Sequence, residues 1–132
     1  MHEQFKDANP FWRWMGFEID ESAAAQGRAA VDVAIRPEML QHQGLLHGGV
    51  LSALIDSAGA WAFALSTEEP VRTINLAVQY LNPVLPQASR LTAHAVLIRA
   101  GGRIVLAEVA VCDQDGLEVA RGQVIYSRAR RS

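Results

Sequence analysis

Residues 41–61 read QHQGLLHGGVLSALIDSAGAW, and the run from 48 to 66 carries a single charge, Asp56. A helix this apolar on nearly all sides has to be enclosed, because a surface helix keeps only one apolar stripe. Its length also approaches that of a membrane span. An Asp near a span's centre would cost about 2.5–3.5 kcal/mol on insertion, and the run is rich in Gly, Ala and Ser rather than Leu. We therefore expect a buried core helix and no membrane contact. Its start is unusual. Ser, Thr, Asp or Asn normally caps the first free N–H groups of a helix, but here stand Leu46, His47, Gly48 and Gly49. Only His47 offers even a poor cap. Uncapped N–H groups at the positive end of a helix dipole suit a developing oxyanion. Asp56 sits among Leu54, Ile55, Ala58 and Ala60, where a lone carboxylate is costly unless something partners or uses it. That combination points to a reaction centre.

The flanking sequence supplies the cover such a helix needs. Residues 28–35 alternate apolar and polar as a strand, ended by Arg36-Pro37. After the helix come four further strand-like runs, at 72–81, 90–99, 103–113 and 118–127. Ala100-Gly101-Gly102 and Gln114-Asp115-Gly116 read as hairpin turns, and Asn82 to Pro86 as a longer connection. Asn9-Pro10 followed by Phe11, Trp12 and Trp14 predicts a helical turn leading to the core. The aromatics are expected to pack over the sheet end rather than to contact substrate. The plan is α+β: an antiparallel sheet against one long helix, in a single domain spanning residues 1–132.

The net charge of −2 argues against nucleic acid. One cysteine, Cys112, cannot form an internal disulfide, which favours a reducing compartment. Residues 1–17 resemble neither a signal nor a transit peptide, so the expected location is cytoplasmic. His42 and His47 have no third ligand in view, so no metal site is expected. Cys112 has no neighbouring base and reads as a packing residue. Arg99 and Arg103 flank one Gly pair, and Arg128, Arg130 and Arg131 crowd the C-terminus.

The pattern Gln41-x-x-Gly44-x-x-His47-Gly48-Gly49, with Asp56 nine residues after the His, resembles the hotdog-fold thioesterases of the phenylacetyl-CoA thioesterase-like branch. The likeness runs from about residue 14 to 127 and includes Thr73-x-Asn75-x-x-x-x-Tyr80 followed by Asn82-Pro83. It implies a sheet wrapped around the long helix, subunits paired edge to edge as a dimer or a tetramer, and hydrolysis of acyl-CoA or similar thioesters without metal or cofactor. By the same resemblance Asp56 is the catalytic carboxylate, as general base or nucleophile, and the Gly48 N–H polarises the carbonyl. Gln41 stands near the thioester, one methylene longer than the Asn that also occurs there. Thr73 holds the water or the carboxylate. His47 fixes the loop. Gly49 and Asn82 line the substrate, and Arg99 and Arg103 are candidates for the CoA phosphates, or else form a solvated turn.

Gly48 and Asp56 are eight residues apart, about 12 Å along a helix. A base and an oxyanion donor must each come within roughly 3 Å of one carbonyl, so one helix cannot supply both. Two antiparallel helices across a two-fold axis can, giving composite sites in a homodimer. Two other classes stay open on the residues. A hotdog dehydratase or hydratase would need a catalytic His beside the carboxylate, and no His lies within the helix. A non-catalytic acyl-CoA-binding module would not need Asp56, which could also be a buried structural carboxylate bonded to Thr73.

Overall fold

The computed structural model describes residues 9–128. Arg130, Arg131 and the first eight residues of the leader lie outside this range.

Asn9 opens helix α1 (Pro10–Met15): its side chain accepts from the Trp12 N–H, Pro10 occupies the first turn, and Gly16 at φ 78° closes it. Trp12 ties this helix to the core. Its Nε1 donates to Ser57 Oγ at 2.8 Å, and its ring lies 5.0 Å from that of Trp61. Phe11 and Trp14 remain exposed.

Strands β1 (Glu18–Asp20), β2 (Arg28–Ala34), β3 (Val71–Tyr80), β4 (Arg90–Arg99), β5 (Ile104–Asp113) and β6 (Glu118–Arg128) form one antiparallel sheet in the order β1-β2-β4-β5-β6-β3. The five longer strands match the expected runs to within a residue or two. β1 is an addition to them, since three residues are too few to display an alternation. Along β2, Ala29, Val31 and Val33 face inward, and the same period buries Leu91, Ala93 and Ala95 on β4. Cys112 sits in β5 half-buried and outside the core, not packed in it as expected, and burial together with the Glu118 and Asp113 charges pushes its thiol up, which keeps it unreactive.

Helix α2 (Gly48–Thr67) packs along β2 to β6, burying Leu51, Leu54, Ile55, Ala58, Trp61, Ala62 and Phe63. It is long and apolar enough to cross a membrane, yet 67% of that stretch is buried against its own chain. A sheet curled around one central helix is the hotdog arrangement.

Edge strand β3 contains an irregularity with consequences for the site. Its register shifts between Thr73 and Asn75, which face Tyr126 and Ile125 on β6, leaving Ile74 as an extra residue. Counting inward-facing positions back from Tyr80 gives Val78, Leu76 and then Ile74 in an unbroken strand. The extra residue changes the phase, so Thr73 and Val71 face the helix instead, and Ile74 is exposed.

Candidate active site

At the start of α2, His47 is the N-cap, and its Nδ1 accepts from the Gly49 N–H at 2.8 Å. The ring proton of His47 therefore sits on Nε2. A Cβ on Gly49 would stand 3.0 Å from that Nδ1, so glycine there leaves the ring room to sit close over the helix start. His47 thus supplies the cap that the sequence allowed it, and the Gly49 N–H is taken. The Gly48 N–H, first in the helix, makes no hydrogen bond among the described residues. Tyr80 lies over Gly48, its ring 3.2 Å from where a Cβ would be, and its hydroxyl meets Ser52 Oγ at 2.5 Å.

Gln41, Gly48, Tyr80 and Asn82 line a groove of about 270 Å³. The side chain of Gln41 folds back on its own loop: Oε1 accepts from the Gln43 N–H and Nε2 donates to Gln43 Oε1 at 3.1 Å. The Asn82 amide is likewise engaged, donating to the Glu118 carbonyl at 2.8 Å and tying the segment after β3 to β6. Both residues thus shape the groove while their amide nitrogens hold loops.

Two turns further on, Asp56 is gripped at two points by residues that face each other across β3 and β6. Thr73 Oγ1 donates to Asp56 Oδ1 at 2.6 Å, and Tyr126 Oη donates to the Asp56 backbone carbonyl at 2.6 Å. The bulge at Ile74 is what aims Thr73 at the carboxylate. Burial pushes the Asp56 carboxyl above the usual carboxylate range, opposed by the Thr73 hydrogen bond, which stabilises the charged form. Tyr126 is fully buried and its hydroxyl is pushed far up by burial and by the nearby Asp56 charge, so it stays a neutral phenol that keeps its proton for the Asp56 carbonyl. Its hydroxyl reaches the helix because residue 59 is glycine: a Cβ there would come closer than 3.0 Å to Tyr126 Oη.

Sequence reasoning misses both Tyr126 and Gly59. A Tyr in the last strand and one Gly among several small helix residues carry no local mark of their pairing.

One chain brings Gln41, Gly48 and Asn82 together and, separately, Asp56 and Thr73. It does not bring the two groups to one point. Arg99 and Arg103 lie elsewhere again. They flank the β4–β5 turn, at the end of the sheet where Val71 pairs with Arg128, whereas Tyr80 and the groove are at the end where Tyr80 pairs with Ala120. Ten-residue strands separate these ends by about 30 Å. Within one chain the two arginines cannot serve the groove.

The sequence profile of the thioesterase superfamily matches residues 43–120. A medium/long-chain acyl-CoA thioesterase, YigI of Salmonella typhimurium, is 30% identical over 94% of this chain and 88% of its own length. Among solved structures, a mutant of the phenylacetic acid degradation protein PaaI from Thermus thermophilus is 30% identical, with a TM-score of 0.80 over 92% of this chain and all of that one. The E. coli PaaI protein superposes with a TM-score of 0.87 over 99% of this chain and 92% of its own. At 21% identity that match speaks for the fold alone.

Proposed function

The chain belongs to the thioesterase superfamily, and from that premise we propose that it hydrolyses acyl-CoA thioesters at sites shared between two subunits. The observation that carries this reading is Asp56: a half-buried carboxylate on an apolar helix, oriented by Thr73 and pushed by burial above the usual carboxylate range. Such a group can take a proton from water and give it up again within one turnover. The water oxygen attacks the thioester carbon while its proton passes to Asp56. The oxyanion that forms is held by the Gly48 N–H at the positive end of α2. Collapse of the tetrahedral species breaks the carbon–sulfur bond, and the proton on Asp56 goes to the departing thiolate. Products are a free acid and a thiol.

The partner is required by distance, since Gly48 and Asp56 lie about 12 Å apart along α2. It is favoured by β3, a ten-residue edge strand whose outer side makes no pairing among the described residues. Such an edge is a ready template for a second copy. Antiparallel pairing there would bring Gly48 of one subunit toward Asp56 of the other. A reducing, cytoplasmic setting belongs to the same proposal and accords with the single thiol of Cys112.

Complementation tests the shared site. Gly48→Val puts bulk against Tyr80, which already lies 3.2 Å from a Cβ at that position. Asp56→Asn removes the base. Each variant alone should release little thiol from acyl-CoA. In a mixed dimer one site carries both lesions and the other neither. Random exchange makes about half the dimers mixed, so about a quarter of wild-type activity returns. Verified mixed dimers that stay inactive would refute the shared site.

A further inference from the structure

Two recesses flank the start of α2. The first is the groove of Gln41, Tyr80 and Asn82, which Leu45, Leu81 and Val84 also line. The second, about 290 Å³, lies on the other side of the helix, with Phe11, Trp14, Met39, Val50 and Ala53 among its lining residues. Gly49 and His47 also border it, so it opens beside the Gly48 N–H. A thioester held by its carbonyl on that N–H must send its two substituents to different sides. The thiol arm of CoA carries amides and fits the groove of mixed lining, the more polar of the two recesses. The acyl group matches the apolar cavity, whose exposed aromatics would otherwise lie against water.

Two charged residues line this cavity, Arg36 and Glu38. The Arg36 Nε is buried without a hydrogen-bond partner, and its side chain makes no ion pair among the described residues. Buried donors without partners are rare enough that each calls for a reason. Glu38 is exposed, so solvent screens its charge.

Resting on the hydrolase reading, we propose that this cavity is the acyl subsite and that Arg36 selects acyl groups ending in a carboxylate. A guanidinium fork binds a carboxylate through paired hydrogen bonds. At about 30 Å³ per non-hydrogen atom, the cavity holds roughly ten such atoms, the size of a six- to eight-carbon diacid arm.

The test compares kcat/KM on pairs of equal chain length, hexanoyl-CoA against adipoyl-CoA and octanoyl-CoA against suberoyl-CoA, with acetyl-CoA as reference. The wild type should favour the diacid by tenfold or more at one length. Arg36→Met should collapse that ratio, and Glu38→Gln should change it by no more than about twofold. Monoacids preferred at both lengths by the wild type would overturn the proposal, as would a diacid preference that survives in folded Arg36→Met protein. Hydrolysis of acetyl-CoA with none of the four longer substrates accepted would reject the cavity as acyl subsite while sparing the hydrolase reading. Thiol release from none of the five would sink the hydrolase reading itself.

Discussion

Gly59→Ala ought to stabilise an ordinary helix, because alanine is favoured over glycine inside helices by about 0.8–1 kcal/mol. Here it should do the opposite. The new Cβ would come closer than 3.0 Å to Tyr126 Oη and would stand 3.1 Å from Ala107 Cβ, both on fully buried residues. Tyr126 cannot yield cheaply, since its hydroxyl is bonded to the Asp56 carbonyl at 2.6 Å. Overpacking a tight core costs about 1–3 kcal/mol, and stripping a buried hydroxyl of its acceptor about 1–3 kcal/mol more. After the gain in propensity, the net loss is about 1–5 kcal/mol. The diagnostic is the double variant. Tyr126→Phe alone should cost about 0.5–1.5 kcal/mol for one hydrogen bond. It also removes the hydroxyl oxygen that the new Cβ would strike, so Gly59→Ala should cost less in the Phe background by about 1–3 kcal/mol. Urea denaturation of the four proteins at one concentration gives the cycle, with the concentration fixed because assembly contributes to stability. A Gly59→Ala protein at least as stable as wild type, or costs that add to within about 0.5 kcal/mol, would refute the steric argument.

Two further outcomes concern the carboxylate. Thr73 stabilises the charged form of Asp56 against burial, so Thr73→Ala should move the acid limb of the pH–rate profile to higher pH, and Thr73→Ser should restore it; a limb that stays put would detach Thr73 from the reacting group. Because burial raises the folded-state pKa of Asp56 above its ordinary value near 3.8, its charge penalises folding at neutral pH and ceases to do so below that value. Asp56→Asn keeps an oxygen acceptor for Thr73, and its stability relative to wild type should be greatest near pH 7 and shrink as pH falls toward 3.8, as read by denaturant melts across pH; a difference that does not vary with pH would show that burial costs the carboxylate nothing.

The helix and the longer strands are legible in the sequence because each displays a repeating pattern over seven or more residues. Residues 48–67 are apolar on nearly every side, and β2 and β4 alternate cleanly. β1 has no room for a pattern. The candidate site is legible where one residue is chemically out of place, as Asp56 is among Leu54, Ile55 and Ala58. It is illegible where function rests on a relation between distant residues. Tyr126 looks like any strand aromatic until Gly59, 67 positions earlier, is seen to admit its hydroxyl to the helix. Arg36 looks like a strand-ending charge before a proline until its Nε is found buried beside an apolar cavity.

Thr73 marks the boundary between the two cases. Resemblance points to the residue, but strict alternation back from Tyr80 would turn Ile74 to the helix and Thr73 away from it. The bulge resolves the conflict, and it lies in the one long strand at the sheet's edge, where an extra residue disturbs pairing on one side only. The same strand is the one proposed to meet a second subunit. A bulge there aims Thr73 at Asp56 and shapes the edge offered to the partner, so the carboxylate's orientation and the proposed pairing depend on one local irregularity. Strand β3 thus links the two halves of the proposed composite site: it orients Asp56 of its own chain and offers the edge along which another chain would bring its Gly48 N–H.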